Sequence, residues 1–244
     1  MAENWIVIPV RNNSHLTKKA VATFRAQDIE GGVNILILEN ASTDGTAQWL
    51  ASQPDICRMH FDPPKSVAES WNHGLRFVFD QRHEDYCAVI NNDVELRPDC
   101  LRHLVNDGGL FVTAVGTRDP EKIKPPYADP DPEKKRPHPD FSCYLIRREA
   151  WEKVGPFDEN FKIAFCEDGD YDLRLYKAGI RATCIDLPFL HHGSMTIKNA
   201  EPKEMKRIQV QADLNRKYFE KKWGFPMASE AYYRALDKGG PPPE

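Results

Sequence analysis

The sequence predicts an α/β fold with a mostly parallel central sheet flanked by helices. Two observations carry that prediction. Short apolar runs alternate with segments of helical periodicity, which is the rhythm of βαβ units. Three of the apolar runs end in polar residues: Arg11-Asn12-Asn13, Glu39-Asn40 and Asn91-Asn92-Asp93. Right-handed crossovers bring such strand ends to one edge of a parallel sheet, where ligands bind.

The elements follow in order. Trp5-Ile6-Val7-Ile8-Pro9-Val10 is an apolar run of the kind buried on both faces of a sheet. Ser14 is placed to cap the next helix, in which Leu16, Ala20, Val21 and Phe24 share a face. Gly31-Gly32 marks a turn before a second buried run, Val33–Leu38. Thr43 or Asp44 is placed to cap a helix through Trp49 and Leu50. A short strand is expected over residues 57–61, then a helix through Val67, Trp71, Leu75 and Val78. Tyr86–Ile90 is the next strand, followed by a helix after Pro98 and a strand over Leu110–Val115. Residues 117–140 are rich in Pro, Asp, Glu and Lys without apolar periodicity, so a surface loop near the site is expected. Phe141–Ile146 is a strand, and Glu149–Val154 a short helix stopped by Gly155 and Pro156. A helix over Asp168–Ala178 ends at Gly179, and residues 182–190 are extended. Residues 201–222 read as an amphipathic helix anchored by Ile208, Leu214, Tyr218 and Trp223. One domain is expected over 1–222, with 223–244 an extension whose Gly239–Glu244 end is disordered.

Composition limits the function. The chain has 244 residues, 41% of them hydrophobic and 29% charged, as in a globular protein. Its net charge of −4 offers no basic excess for a nucleic-acid backbone, so no nucleic-acid partner is expected. Its six cysteines form no C-x-x-C pair, which argues against a zinc ribbon and for reduced core thiols. Met1-Ala2-Glu3-Asn4 leads into a strand without a signal-peptide pattern, and no apolar run has membrane-spanning length. A cytoplasmic protein, free or peripheral at a membrane, is expected.

Four stretches can carry chemistry. Asn91-Asn92-Asp93 at a strand tip offers oxygen ligands that suit Mg²⁺ or Mn²⁺ and, through the metal, a diphosphate. The same residues also favour a plain β-turn. Glu39 through Thr46 leads from a strand into a helix start, whose unpaired N–H groups suit a nucleotide or another anion. Glu167, Asp168, Asp170 and Asp172 crowd one helix start, where mutual repulsion must be relieved by a cation or by raised pKa values. A general base fits there. His191-His192 supplies imidazole for a metal shared with the Asn91-Asn92-Asp93 tip.

Together these residues resemble family 2 glycosyltransferases of the GT-A fold, over roughly residues 4–195 and in the family's order. Ile8-Pro9-Val10-Arg11-Asn12 resembles the opening strand motif, and Glu39 through Thr46 the Asp-Asn-x-Ser-x-Asp-Gly-Thr motif. Asn72-His73-Gly74 resembles Asn-x-Gly, and Ile90 through Val94 a variant of the metal-binding Asp-x-Asp motif. Phe141–Phe161 resembles the segment that closes over the donor. Phe165 through Leu175 resembles the base-bearing Glu-Asp-x-Asp-Leu-x-x-Arg stretch, and Leu190 through Ser194 the trailing metal-binding histidine.

The resemblance implies a nucleotide-binding half over about 1–116, a catalytic half over about 141–222 and a small antiparallel portion on the acceptor side. It implies that Pro9 and Arg11 line the base pocket, with Glu39 on the base or ribose and Asp44 nearby. Asn72 would help hold the nucleotide sugar, with Asn92 near the ribose or sugar and Asn91 among the donor-binding residues, where it removes one carboxylate from the metal motif. Asp93 would bind the metal with His191, or alternatively His192. Asp168 would deprotonate the acceptor hydroxyl, with Glu167 beside it, and Gly169 would add freedom there. The implied reaction is inverting transfer from a nucleoside-diphosphate sugar to a glycan, lipid-linked or protein acceptor, of hexosyl or deoxyhexosyl type. Arg11 and Glu39 depart from the family's aromatic and Asp, so the base remains open. Two alternatives are a nucleotidyltransferase, which lacks its Gly-rich phosphate loop here, and a non-catalytic binding module, which has no use for a crowded base.

Overall fold

The computed structural model describes residues 3–134, 138–193 and 200–237. Eight strands form one curled sheet in the order β3-β2-β1-β4-β7-β6-β8-β5. β1 (Trp5–Val10), β2 (Asn34–Glu39), β3 (Ile56–His60) and β4 (Tyr86–Ile90) are mutually parallel. β7 (Cys143–Arg147) runs antiparallel to both β4 and β6 (Phe111–Thr117). β8 (Thr183–His191) is parallel to β6, and the two-residue β5 (Val94–Glu95) is antiparallel to β8. The antiparallel portion is therefore real and includes β5, which two residues of sequence do not announce.

The crossover helices α1 (Ser14–Arg25) and α3 (Val67–Arg76) lie on opposite faces of the sheet, each against its own apolar layer. α3 begins with a Ser66–Glu69 capping box, which fixes where the helix starts. It lies close enough that a methyl on Gly74 would collide with Val7 of β1. That contact explains the glycine of Asn72-His73-Gly74 as a packing requirement. Because β1 sends its chain to β2 on one side and has β4 on the other, a crevice opens beyond the strand C-termini at this switch point.

Several expectations change. Ser14 is the first residue of α1, and its N-cap is Asn13. Gly45 is the N-cap of α2 (Thr46–Ala51), with Asp44 one residue earlier. Helix α7 (Pro202–Trp223) buries Ile208, Ala212, Asn215 and Phe219, while Leu214 is 51% exposed. The helical register puts 208, 212, 215 and 219 on one stripe, and Leu214 falls outside it. Within the expected 223–244 extension, α8 (Glu230–Asp237) packs Tyr232 and Ala235 into a third core cluster with Phe161, Leu173 and Phe219. The expected disorder of residues 239–244 lies outside the described residues. The 117–140 stretch contains a 3₁₀ turn, Pro120–Ile123. Arg97 anchors it by donating to the Ala128 carbonyl at 2.9 Å. The six cysteines form no disulfide. Among the described residues no helix is long and apolar enough to cross a membrane.

Candidate active site

A cavity of about 1210 Å³ opens at the C-terminal edge of the parallel strands. Pro9, Arg11, Asp44, Asn91, Asn92, Asp93, Glu167, Asp168 and His191 all line it. Glu39, Asn72 and His192 do not.

The first wall is built by turns that asparagine makes possible. Asn12 and Asn13 both have left-handed backbones, at φ 61° and 58°, a conformation asparagine tolerates better than most residues. Asn12 accepts from the Thr43 N–H at 2.7 Å and donates its own N–H to Ser42 Oγ at 2.9 Å. Asp44 then serves two helices. Its Oδ2 accepts from the Ser14 N–H at 2.9 Å, and its Oδ1 from the Thr46 N–H at 3.2 Å. Burial pushes its carboxyl up, but these bonds and the Thr46 hydroxyl hold it below the usual range. Asp44 thus fixes the wall as well as lining it.

Glu39 is only 2% exposed. The β2 register sets it opposite His60, and it accepts from the Ser42 N–H at 2.6 Å and meets His60 Nδ1 at 2.5 Å. Its carboxylate is engaged by these two partners, and Glu39 does not line the cavity. Asn72 is likewise enclosed: it donates to Phe157 O at 2.9 Å and accepts from Phe157 N–H at 2.8 Å. It ties α3 to the 157–159 segment, and no edge of it faces the cavity as the nucleotide-sugar role requires. Asn92 donates to Thr17 Oγ1 at 3.0 Å and Asn12 O at 3.2 Å, joining the two strand tips.

The metal expectation meets a definite geometry. Antiparallel pairing sets Val94 opposite His191, and the His192 N–H donates to Asp93 O at 2.9 Å. This brings His191 Nε2 to 3.4 Å from Asp93 Oδ1. His192 turns away and holds Glu95 Oε1 at 2.7 Å. Among the described residues no group of three metal-ligating side chains occurs. One carboxylate and one imidazole at a cavity wall fit a divalent cation that takes its remaining ligands from phosphate oxygens and water.

The opposite wall carries the acidic helix α6 (Glu167–Lys177). Its four carboxylates separate by environment. Asp170 is fully buried and held by Arg174 at 2.9 Å, Trp223 Nε1 at 2.9 Å and Lys222 at 2.6 Å. Asp172 faces α8 and accepts from Tyr232 at 3.4 Å. Glu167 and Asp168 face the cavity. Burial, then the Asp168 charge, pushes the Glu167 carboxyl up to about 8, and its Oε2 is buried with no hydrogen-bond partner. Burial also raises Asp168, against the pull of the Gly169 N–H at 2.8 Å. Gly169 is not a source of freedom: it is helical, and a Cβ there would lie 2.7 Å from Met227 Cε. The loop before α6 is strained. Ile163, Phe165 and Cys166 are left-handed at φ 61°, 84° and 74°, a state costing about 1–3 kcal/mol per non-glycine residue.

The raised carboxyls make stability pH-dependent. Burial pushes Asp172 up to about 7, against the Tyr232 hydrogen bond, and Glu167 to about 8. Between the unfolded and folded values the native state binds more protons, so stability falls as pH rises. Their contribution is complete below the ordinary carboxylate range and lost through about pH 7–8. Thermal denaturation should therefore give a Tm several degrees lower at about pH 8 than at about pH 5, with Asp172→Asn flattening the decline.

Sequence reasoning did not find Asp140, Arg216 or Met227, all of which line the cavity, nor Asn215. Asp140 sits at the end of the patternless 117–140 run. Asn215 carried a signal, since it lies seven residues after Ile208 and four before Phe219 on the buried stripe.

Residues 5–109 match the family model described as Glycosyl transferase family 2. The chain is 24% identical to the O-antigen biosynthesis protein RfbC of Myxococcus xanthus, over 78% of this chain and 17% of that protein. It therefore spans only a small part of that relative. Among solved structures, the Pyrobaculum calidifontis mannosyltransferase PcManGT, in complex with GDP-Man and Mn²⁺, aligns with a TM-score of 0.56 at 16% identity. That alignment covers 78% of this chain and 56% of that one. S. aureus TarS aligns with a TM-score of 0.60 at 12% identity, covering 96% of this chain and 48% of that one.

Proposed function

We propose that this chain, whose residues 5–109 match the glycosyl transferase family 2 model and whose fold is that of its GT-A glycosyltransferase neighbours, moves a sugar from a nucleoside-diphosphate donor to an acceptor hydroxyl with inversion. The observation that carries this reading is the facing pair of walls. Asp93 and His191 stand on one, and Glu167 and Asp168 on the other, around a single cavity. Residues 1–116 supply the nucleotide side, and residues 141–222 with the 223–237 segment the acceptor side.

Asp168 takes the proton from the acceptor oxygen as that oxygen attacks the anomeric carbon from the side opposite the diphosphate. Its raised pKa suits this task, because a base near the working pH accepts a proton with more driving force. Glu167, protonated at neutrality, stays uncharged beside it and keeps a hydrogen to donate to a sugar hydroxyl. Asp93 and His191 would hold Mn²⁺ or Mg²⁺, and that ion, when bound, neutralises charge gathering on the leaving diphosphate. Pro9, Arg11 and Asn92 bound the donor's pocket, and positioning of the two substrates contributes much of the rate. The Mn²⁺ and GDP-Man named for PcManGT and the O-antigen role named for RfbC support a nucleotide-sugar donor and a glycan acceptor. A lid over bound donor is assigned to the 117–140 loop, whose His138 and Asp140 reach the cavity.

The test is incubation with UDP-, GDP- and dTDP-linked sugars, Mn²⁺ and glycan acceptors. Acceptor-dependent release of nucleoside diphosphate is expected with at least one donor. Release with none, alongside turnover of sugar phosphates and nucleoside triphosphates, would favour a nucleotidyltransferase.

A further inference from the structure

We propose that Asn215 is a positioning residue for the base: it holds the strained loop that aims the start of α6 into the cavity. This rests on the reading of Asp168 as the base. Asn215 lies on α7 and is 1% exposed. Its amide nitrogen lies 2.9 Å from the Lys162 carbonyl oxygen, 2.9 Å from that of Ala164 and 3.1 Å from that of Phe165, so its two hydrogens are shared among three acceptors. Its oxygen accepts from the Lys162 N–H at 3.3 Å and from Gln211 Nε2 at 2.9 Å. One side chain thus grips both ends of the 162–165 stretch. The carbonyl it leaves out, Ile163 O, accepts from the Val67 N–H at the start of α3 at 2.8 Å.

The gripped loop is not at rest. Ile163, Phe165 and Cys166 are left-handed, and a β-branched residue in that region is an outlier that its surroundings must enforce. Cys166 is the N-cap of α6 and offers no side-chain cap. Glu167 and Asp168 follow directly. Their direction is therefore set by the backbone angles of 163–166, and those angles by the hydrogen bonds from Asn215 and Val67. Leucine would fill the space of Asn215 and supply none of these bonds.

The experiment compares Asn215→Leu and Asn215→Asp with wild type, well below each variant's Tm. Asn215→Asp keeps the shape and the acceptor oxygen but loses the donated bonds, so it tests the clamp even if Asn215→Leu does not fold. Both should lower kcat about tenfold or more, because a small misplacement of a reacting group is costly. Donor KM and nucleoside-diphosphate affinity should stay within about twofold, since those contacts lie on the other wall. A folded variant with wild-type kcat, or one whose loss falls on donor KM, would overturn the proposal. Adding Asn215→Asp to Asp168→Asn should cost little more than Asp168→Asn alone, because residues acting as one unit are non-additive. Independent, additive losses would also overturn it. Wild-type turnover by Asp168→Asn alone would instead reject the base assignment, so the two failures are distinguishable.

Discussion

Asp168→Asn should lower kcat by about 10²–10⁴-fold, the range a positioned general base contributes. Asparagine keeps the shape of the side chain but cannot take a proton. The loss should not be relieved by the neighbour: burial pushes Glu167 up to about 8, so at neutral pH it already carries its proton. Nucleoside-diphosphate binding, measured by calorimetry, should match wild type because the proposed donor-side residues Pro9, Arg11 and Asn92 are unaltered. The wild-type pH profile should also show an acid limb above the usual carboxylate range, since burial raises Asp168. Wild-type turnover by the variant would remove Asp168 from its role.

Removing divalent metal by chelation, or replacing Asp93 by Ala, should each cost roughly 10²-fold or more in kcat/KM, the scale of several kcal/mol of charge stabilisation. The two losses should not add, because both empty the same place. Affinity for Mn²⁺ alone should be weak, since Asp93 and His191 are only two protein ligands and no third metal-ligating side chain joins them among the described residues. Calorimetric titration of Mn²⁺ with and without nucleoside diphosphate checks this. Tight binding in the nucleotide-free protein would contradict a site completed by phosphate oxygens.

Much of the architecture was legible because it rests on patterns that sequence displays directly. Continuous apolar runs gave β1, β2 and β4, and their polar ends gave the cavity edge. What stayed hidden depends on pairings distant in sequence. Nothing near Glu39 reveals that His60, on the neighbouring strand, captures its carboxylate. Nothing near Asn72 shows Phe157 across from it. The acidic cluster advertised a base, but only α7 and α8 sort the four carboxylates, through Lys222, Trp223 and Tyr232. Leu214 outranked Asn215 as an anchor on hydrophobicity alone, whereas helical register favours Asn215.

The β5–β8 pairing also has a consequence for biosynthesis. Glu95 and His192, which adjoin the Asp93–His191 pair, are 97 residues apart in sequence. At a synthesis rate of about 5–20 residues per second, roughly 5–20 s separate their emergence from the ribosome. Through that interval the Asp93 tip lacks its histidine. On the proposed reading, a partly made chain therefore cannot complete the cation and diphosphate site. Competence arrives late, when the last strand docks.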